Sequence, residues 1–321
     1  MSDEIVRVYA PASIGNVGPG FDVLGLCLES PGDRIFARRA EKGVRMTRLV
    51  PLDEKDCPAV VSVMPPMDAR NTACVAATAV LERLGVDWGV ELELYKGLPV
   101  GSGLGSSGAS AVAAAVAVNE LAGAPLRREE LLFACAKAEG AACGAPHADN
   151  VAPALLGGFV LVRSNGSVTR IESPLSLWVA MVTPKAELPT REARAAIPTE
   201  IPLAEAVHNS AQLATMVYGL ACGDLSLLQG AIDDHIAEPR RALMIPAFFE
   251  VKAAALQAGA LGCSISGAGP SIFALCATEE MAQACEEAMS GALQEVPIAH
   301  RHWTSRVNTH GAQVDTRGEA T

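Results

Sequence analysis

Aromatic residues are scarce in this sequence, 4% of 321, and acids outnumber bases: 36 Asp+Glu against 25 Lys+Arg, a formal net charge of −11. Such a chain lacks the basic face that nucleic-acid binding requires, so no nucleic-acid partner is expected. The pairs Arg38-Arg39, Arg127-Arg128 and Arg240-Arg241 are too short for a polyanion stripe and, on their own, read as solvated faces. Long apolar runs are missing too. The two windows without charge, Gly97–Asn119 and Ala253–Thr278, are broken by Gly, Ser and Pro and fall short of the ~20 residues a bilayer requires, so no membrane partner is expected. The N-terminal MSDEIVRVYA carries acids and no apolar stretch, so neither secretion nor organelle import is expected. The nine cysteines include no C-x-x-C pair and no matching His cluster. That pattern predicts reduced, mostly buried thiols in a cytoplasmic protein rather than disulfides or zinc ligands. Repeats and low-complexity tracts are also absent.

What is present is apolar bulk. Hydrophobic residues make up 50% of the chain and charged residues 19%, enough to bury a large core. At about 150 residues per domain the length predicts two domains, with the boundary placed loosely at a polar turn, Ser164–Ser167, giving 1–165 and 166–321. Strands are predicted at Ile5–Ala10, Val90–Tyr95, Phe159–Arg163, Leu177–Thr183, Gly262–Ser266 and Ser271–Cys276. Pro11–Gly20 reads as a loop of small residues. Helices are predicted at Thr72–Leu84, Ser107–Leu121, Arg128–Gly140 and around Leu203–Leu220. Strands mixed with helices without regular alternation give an α+β class in both halves.

The most informative stretch is PVGSGLGSSGAS, Pro99–Ser110, between a strand and a helix made almost wholly of Ala and Val. A helix apolar all round is buried. Its first four N–H groups have no intrahelical partners, and the helix start carries partial positive charge. Gly101, Gly103 and Gly105 let the backbone approach a ligand closely, which together predicts an anion site, most simply for phosphate. No Lys follows, so the P-loop pattern fails. Gly103–Gly108 satisfies G-x-G-x-x-G, with Glu129 or Glu130 about 20 residues on, but Val90–Tyr95 alternates apolar with Glu where a dinucleotide fold needs a strand buried on both faces. A bland structural turn remains the alternative. In the next helix Leu132, Cys135 and Glu139 share a stripe, which places Glu139 among apolar neighbours. A carboxylate there fits Mg²⁺ bridging to phosphate, or else is a solvated helix-end residue.

Three separated stretches resemble the GHMP small-molecule kinases: Pro99–Ser110 their central signature, Pro11–Leu28 (PASIGNVGPGFDVLGLCL) their N-terminal motif, and Cys263–Leu275 (CSISGAGPSIFAL) their C-terminal glycine motif. Within that group GNVGPGFDVLG, His147–Pro153 (HADNVAP), Thr190–Pro198 (TREARAAIP) and EPRR before Ile245-Pro246 are similar to the homoserine kinase family. The resemblance implies an N-terminal domain like domain 2 of ribosomal protein S5 followed by a ferredoxin-like domain, with the site between them. It implies ATP-dependent phosphorylation of the L-homoserine hydroxyl to O-phospho-L-homoserine for threonine synthesis, and a possible homodimer. Carried over to the matching positions, it implies that Pro99, Val100, Gly101, Ser102, Gly103, Leu104, Gly105, Ser106, Ser107, Gly108 and Ala109 wrap the ATP phosphates, with Asn71 toward the adenine. It implies likewise that Ser107 and Glu139 hold Mg²⁺, that Asn16, Asp22 and His147 meet the amino acid's polar groups, and that Arg194 and Arg241 bind its carboxylate. Arg240 is the alternative to Arg241.

Asn150 stands where other branches of the group place an Asp as base, which implies that no side chain acts as a strong base and that Asp22 and Asn16 orient the hydroxyl. Gly108 replaces a typical alanine and Ala148 a usual proline. The alternatives are a kinase of another small alcohol and a non-catalytic sensor of ATP and an amino acid.

Overall fold

The computed structural model describes residues 4–52, 63–143, 148–186 and 188–315. In chain order the first part contains β1 (Ile5–Ile14), β2 (Leu24–Ala40), β3 (Val44–Pro51), α1 (Thr72–Leu84), β4 (Gly89–Lys96) and α2 (Ser106–Leu121). A 3₁₀ turn, Arg128–Leu131, then leads to α3 (Leu132–Cys143), α4 (Ala148–Leu156), β5 (Phe159–Val162) and β6 (Val168–Ile171). The second part contains β7 (Trp178–Pro184), α5 (Thr190–Ala195), α6 (Leu203–Cys222), α7 (Leu225–Leu228) and α8 (Glu238–Arg241). It ends with α9 (Phe248–Gln257), β8 (Gly262–Ile265), β9 (Ile272–Cys276), α10 (Glu279–Gln294), β10 (His300–Arg306) and β11 (Gln313–Val314).

Two sheets organise these elements. One runs β11-β1-β2-β4-β3 and continues from β2 through β5 to β6; the other is a four-stranded antiparallel sheet in the order β10-β7-β9-β8. The turn at Ser164–Ser167 joins β5 to β6, so both of its flanks belong to the first sheet, and β11 returns the end of the described chain to β1. The mixed architecture is the α+β class that the unalternating elements predict. Among the described residues no helix is long and apolar enough to cross a membrane. Of the seven cysteines whose side chains are described, six are buried, and none is in a disulfide.

Helix α2 is the pillar of the first part. Only Ser107 and Glu120 along it are not buried, and it packs on β1, β2, α1, α3 and α4. Its alanines let five elements approach closely, and its buried valines, Val112, Val116 and Val118, each contribute about 1.5–3 kcal/mol relative to exposure. Strand β4 is parallel to β3 and antiparallel to β2, with its burial alternating residue by residue. That arrangement excludes a dinucleotide fold, in keeping with the Val90–Tyr95 pattern.

Two local expectations are corrected. The small-residue segment from Pro11 begins as strand, because the long β2 pairs with it through Pro11↔Gly32, Ser13↔Cys27 and Ile14↔Leu26. The predicted helix Arg128–Gly140 is a 3₁₀ turn followed by a helix that runs on to Cys143, so Gly140 does not end it and Glu139 lies inside it. Strands β2, β3 and β6 and helix α4 carried no usable signal: Pro31-Gly32 interrupts β2, and Pro153 sits inside α4.

Candidate active site

The loop before α2 is shaped by its glycines. Gly103 has φ +81°, and a Cβ there would lie 2.2 Å from the Ser266 carbonyl oxygen; Gly105 has φ +66°, and a Cβ would lie 2.1 Å from Ser13 Oγ. Only glycine tolerates both the left-handed backbone and such close approach. Ser266 Oγ donates to Gly103 O at 2.7 Å and Ser271 Oγ to Ser102 O at 2.6 Å, so the turn Ser266–Ser271 between β8 and β9 braces the loop from behind. Gly108, where alanine is typical, has its own cause here: a Cβ would press on Val151 Cγ1 of α4 at 3.1 Å.

Gly105 is the N-cap of α2, and no side chain caps the helix. The first backbone bond of the helix is Ala109 N–H to Gly105 O, 2.9 Å. The partial positive charge of a buried, 16-residue helix therefore faces the loop without a protein carboxylate in the first turn. Beside that end, Ser107 Oγ donates to Glu139 Oε2 at 2.7 Å, and Glu139 is buried to 6% exposure. One charged and one neutral oxygen side by side are the donor set a hard divalent cation selects.

A buried ion pair that the sequence reading missed lies beneath the loop. Lys96 donates to Asp33 Oδ2, to Ser106 O at 2.8 Å and to Ser110 Oγ at 3.0 Å. Asp33 also accepts from Ser110 Oγ and from the amides of Gly97 and Leu98. Both side chains are 1% exposed or less. A readable signal existed: Lys96 continues the inward Val90-Leu92-Leu94 face of β4.

The second cluster is built on the turn after β1. Asn16 and Asp22 both have positive φ, +55° and +57°. Asn16 Oδ1 accepts from the Asp22 amide at 2.8 Å, and its Nδ2 donates to Gly267 O at 3.1 Å. Arg194 of α5 forms a parallel two-bond pair with Asp22, at 2.8 and 2.6 Å, which raises the guanidinium's proton affinity. Arg241 of α8 is buried, 3% exposed, and donates to Ala193 O and Gly267 O. It is not the solvated residue that the Arg240-Arg241 pair suggests alone. Burial lowers its proton affinity, and the charge on Asp22 works against that. Both guanidinium groups lie 5.0–5.1 Å from the Phe21 ring centroid. Arg240 points elsewhere, to the His235 and Ile236 carbonyls and Glu205.

Helix α4 joins the two clusters. Ser13 Oγ donates to Asn150 Oδ1 at 3.3 Å, and that oxygen lies 3.2 Å from where a Cβ of Gly105 would be. Its neighbour Asp149, also missed, accepts from the Asn16 amide at 3.2 Å. Burial first, and the charge of Asp22 second, push the Asp149 carboxyl up to about 7. Asp149 sits in the quoted HADN segment, but nothing in the sequence separated its role from that of its neighbours.

Asn71 caps α1, accepting from Ala73 N at 3.0 Å and donating to Pro66 O at 2.8 Å, and the next residue, Thr72, donates to Ser107 O at 2.9 Å. Its side chain thus anchors the helix that flanks the loop. His147 lies outside the described residues.

Residues 71–158 match the model of the GHMP kinases N terminal domain and residues 216–294 that of the GHMP kinases C terminal. A homoserine kinase of Chlorobium phaeovibrioides is 40% identical, covering 96% of this chain and 99% of that one. A homoserine kinase of Arabidopsis thaliana is 43% identical, over 91% of this chain and 79% of its own. The crystal structure of homoserine kinase from Cytophaga hutchinsonii superposes with a TM-score of 0.89 at 43% identity, over 98% of each chain. A mevalonate kinase of L. major in complex with R-mevalonate shares the fold, with a TM-score of 0.71 at 19% identity. Named relatives thus match the chain over nearly its whole length, and the chain belongs to the homoserine kinase family of the GHMP kinases.

Proposed function

We propose that this chain transfers the γ-phosphoryl group of ATP to the side-chain hydroxyl of L-homoserine, giving O-phospho-L-homoserine for threonine biosynthesis. The observation that carries this reading is the junction at Gly267. Its carbonyl oxygen takes hydrogen bonds from both Asn16 and Arg241, while the adjoining Ser266 holds Gly103 of the loop. One turn thereby fixes an amino-acid cluster and a phosphate cradle against each other, as a phosphoryl transfer requires.

The α2 amides and the loop Pro99–Ala109 take the triphosphate, with Asn71 holding α1 alongside. Ser107 and Glu139 are the residues that would hold Mg²⁺, which when bound neutralises phosphate charge. Arg241 and Arg194 offer planar forks to the substrate carboxylate, and Asp22 offers its charge to the ammonium. The Arg194–Asp22 pair opens to admit a zwitterion, each partner exchanging one opposite charge for another. A sugar or a simple alcohol has no such pair to offer.

Asn150 cannot take a proton. It and Ser13 position the hydroxyl's surroundings, Asp22 and Asn16 orient the hydroxyl, and the proton leaves late, to the γ-phosphate. This suits a loose transition state in which positioning and charge stabilisation dominate. The dependence on ATP, together with largely buried thiols, fits a cytoplasmic enzyme.

ADP release measured with L-homoserine, L-serine, L-threonine and mevalonate tests the reading. Turnover with L-homoserine far above the others is expected. Preference for mevalonate overturns the substrate, and no ADP release with any of them points to the sensor instead.

A further inference from the structure

We propose that His208, Asp233 and His235 form a second site, for a divalent transition-metal ion, and that Zn²⁺ is the ion the donor set favours. His208 lies on α6, and Asp233 and His235 lie in the segment leading into α8. Asp233 Oδ2 stands 2.9 Å from His208 Nε2 and 3.4 Å from His235 Nε2, and the three candidate ligand atoms all fall within 4.8 Å of one another. Metal–ligand bonds of about 2.0–2.1 Å in a tetrahedron put neighbouring ligand atoms about 3.3 Å apart, and the two Asp233 separations bracket that value. Two imidazoles and one carboxylate are donors that zinc accepts, with a fourth position open to water. None of the three belongs to the kinase cluster.

The backbone that carries them is locked. Asn209, next to His208, accepts from the His235 amide at 2.9 Å and donates to Asp234 Oδ1 at 2.7 Å. Asp234 in turn accepts from the amides of Ile236, Ala237 and Glu238. Both Asn209 and Asp234 are buried. The histidines are thus presented together by a buried polar scaffold rather than by chance proximity of mobile side chains. Arg240, which donates to the His235 carbonyl, is neutralised by Glu205 at 2.9 Å and adds no uncompensated positive charge.

The imidazoles are stacked, with ring centroids 3.7 Å apart and 13° between planes. An ion shared by both Nε2 atoms lies between their lone-pair directions, so binding splays the rings apart. Their side chains are 30% and 47% exposed, which leaves room for that rotation. In the metal-free arrangement His208 Nε2 lies within hydrogen-bond distance of Asp233 Oδ2, 2.9 Å, and each histidine turns a ring-nitrogen lone pair toward the ion when it binds. The linked segments then gain a clasp between α6 and the start of α8.

The test is calorimetric titration of the tag-free chain with ZnCl₂, with Co²⁺ absorption as the second readout. One equivalent binding with a dissociation constant near or below about 1 μM is expected, with melting temperature raised by the metal. His208→Ala, His235→Ala and Asp233→Asn should each weaken binding at least about a hundredfold, more than the loss of an outer-shell partner, while unliganded melting stays close to wild type. Cys222→Ser, at the one exposed cysteine described, should change nothing. Co²⁺ bound without sulfur-to-metal charge transfer supports imidazole and carboxylate ligation. No binding, binding that survives in His208→Ala and His235→Ala, or binding lost in Cys222→Ser overturns the proposal.

Discussion

Asp149→Asn removes a charge where burial makes charge costly, while keeping the side chain's shape. Asp149 is 2% exposed. Burial, reinforced by Asp22, moves its carboxyl from the ordinary 3.8 up to about 7. Three units correspond to about 4 kcal/mol, at 1.36 kcal/mol per unit. The folded chain binds this proton more tightly than the unfolded chain does, so the penalty is absent below about pH 4. It grows as pH rises toward about 7 and is constant above. Asn carries no charge at any pH, and its side-chain oxygen still accepts from the Asn16 amide. The variant should therefore match wild type in unfolding free energy near pH 4 and exceed it by up to about 4 kcal/mol at pH 8. Urea unfolding at pH 4, 6 and 8, followed by circular dichroism, measures the difference. A difference that does not change with pH, or a variant less stable than wild type at pH 8, refutes the burial argument.

Kinetics of two variants test the absence of a base: Asn150→Ala should lose far less than the ~10²–10⁴-fold of a true base, and Asp22→Asn should lose more; the reverse order contradicts the assignment. Glu139→Gln should raise the Mg²⁺ concentration needed for half-maximal rate sharply with the KM for L-homoserine little changed, as read from Mg²⁺ titrations of initial rate. Gly105→Ala meets both a left-handed backbone and Ser13 Oγ, so it should destabilise the chain by about 1–3 kcal/mol in thermal melts and raise the KM for ATP.

The buried alanine helix and its glycine approach were legible in sequence because each has a local cause: an apolar stripe on every face, and glycine where the backbone must turn left. The Glu139 stripe was legible by helical spacing, and the structure puts Glu139 inside α3 beside Ser107. What failed depends on long-range pairing. Pro31 and Gly32 hide a strand that β1 and β4 complete, and Pro153 hides a helix that β1, β2 and β5 hold in place. Asp149 and Asp33 look like ordinary surface acids in sequence, and only their surroundings make them buried. The brace of the phosphate loop by Ser266 and Ser271 joins positions more than 160 residues apart, beyond any periodicity. His208 and His235 meet through Asn209 and Asp234, a contact that no spacing rule announces.

The central claim is that the open end of α2 holds the triphosphate of ATP. A crystal structure with a non-hydrolysable ATP analogue and Mg²⁺ tests it most directly. The account predicts β- and γ-phosphates against the amides of the Gly101–Ala109 loop, with the ion between Ser107 and Glu139. Phosphates bound away from that helix end, or an ion held by other residues, would contradict it.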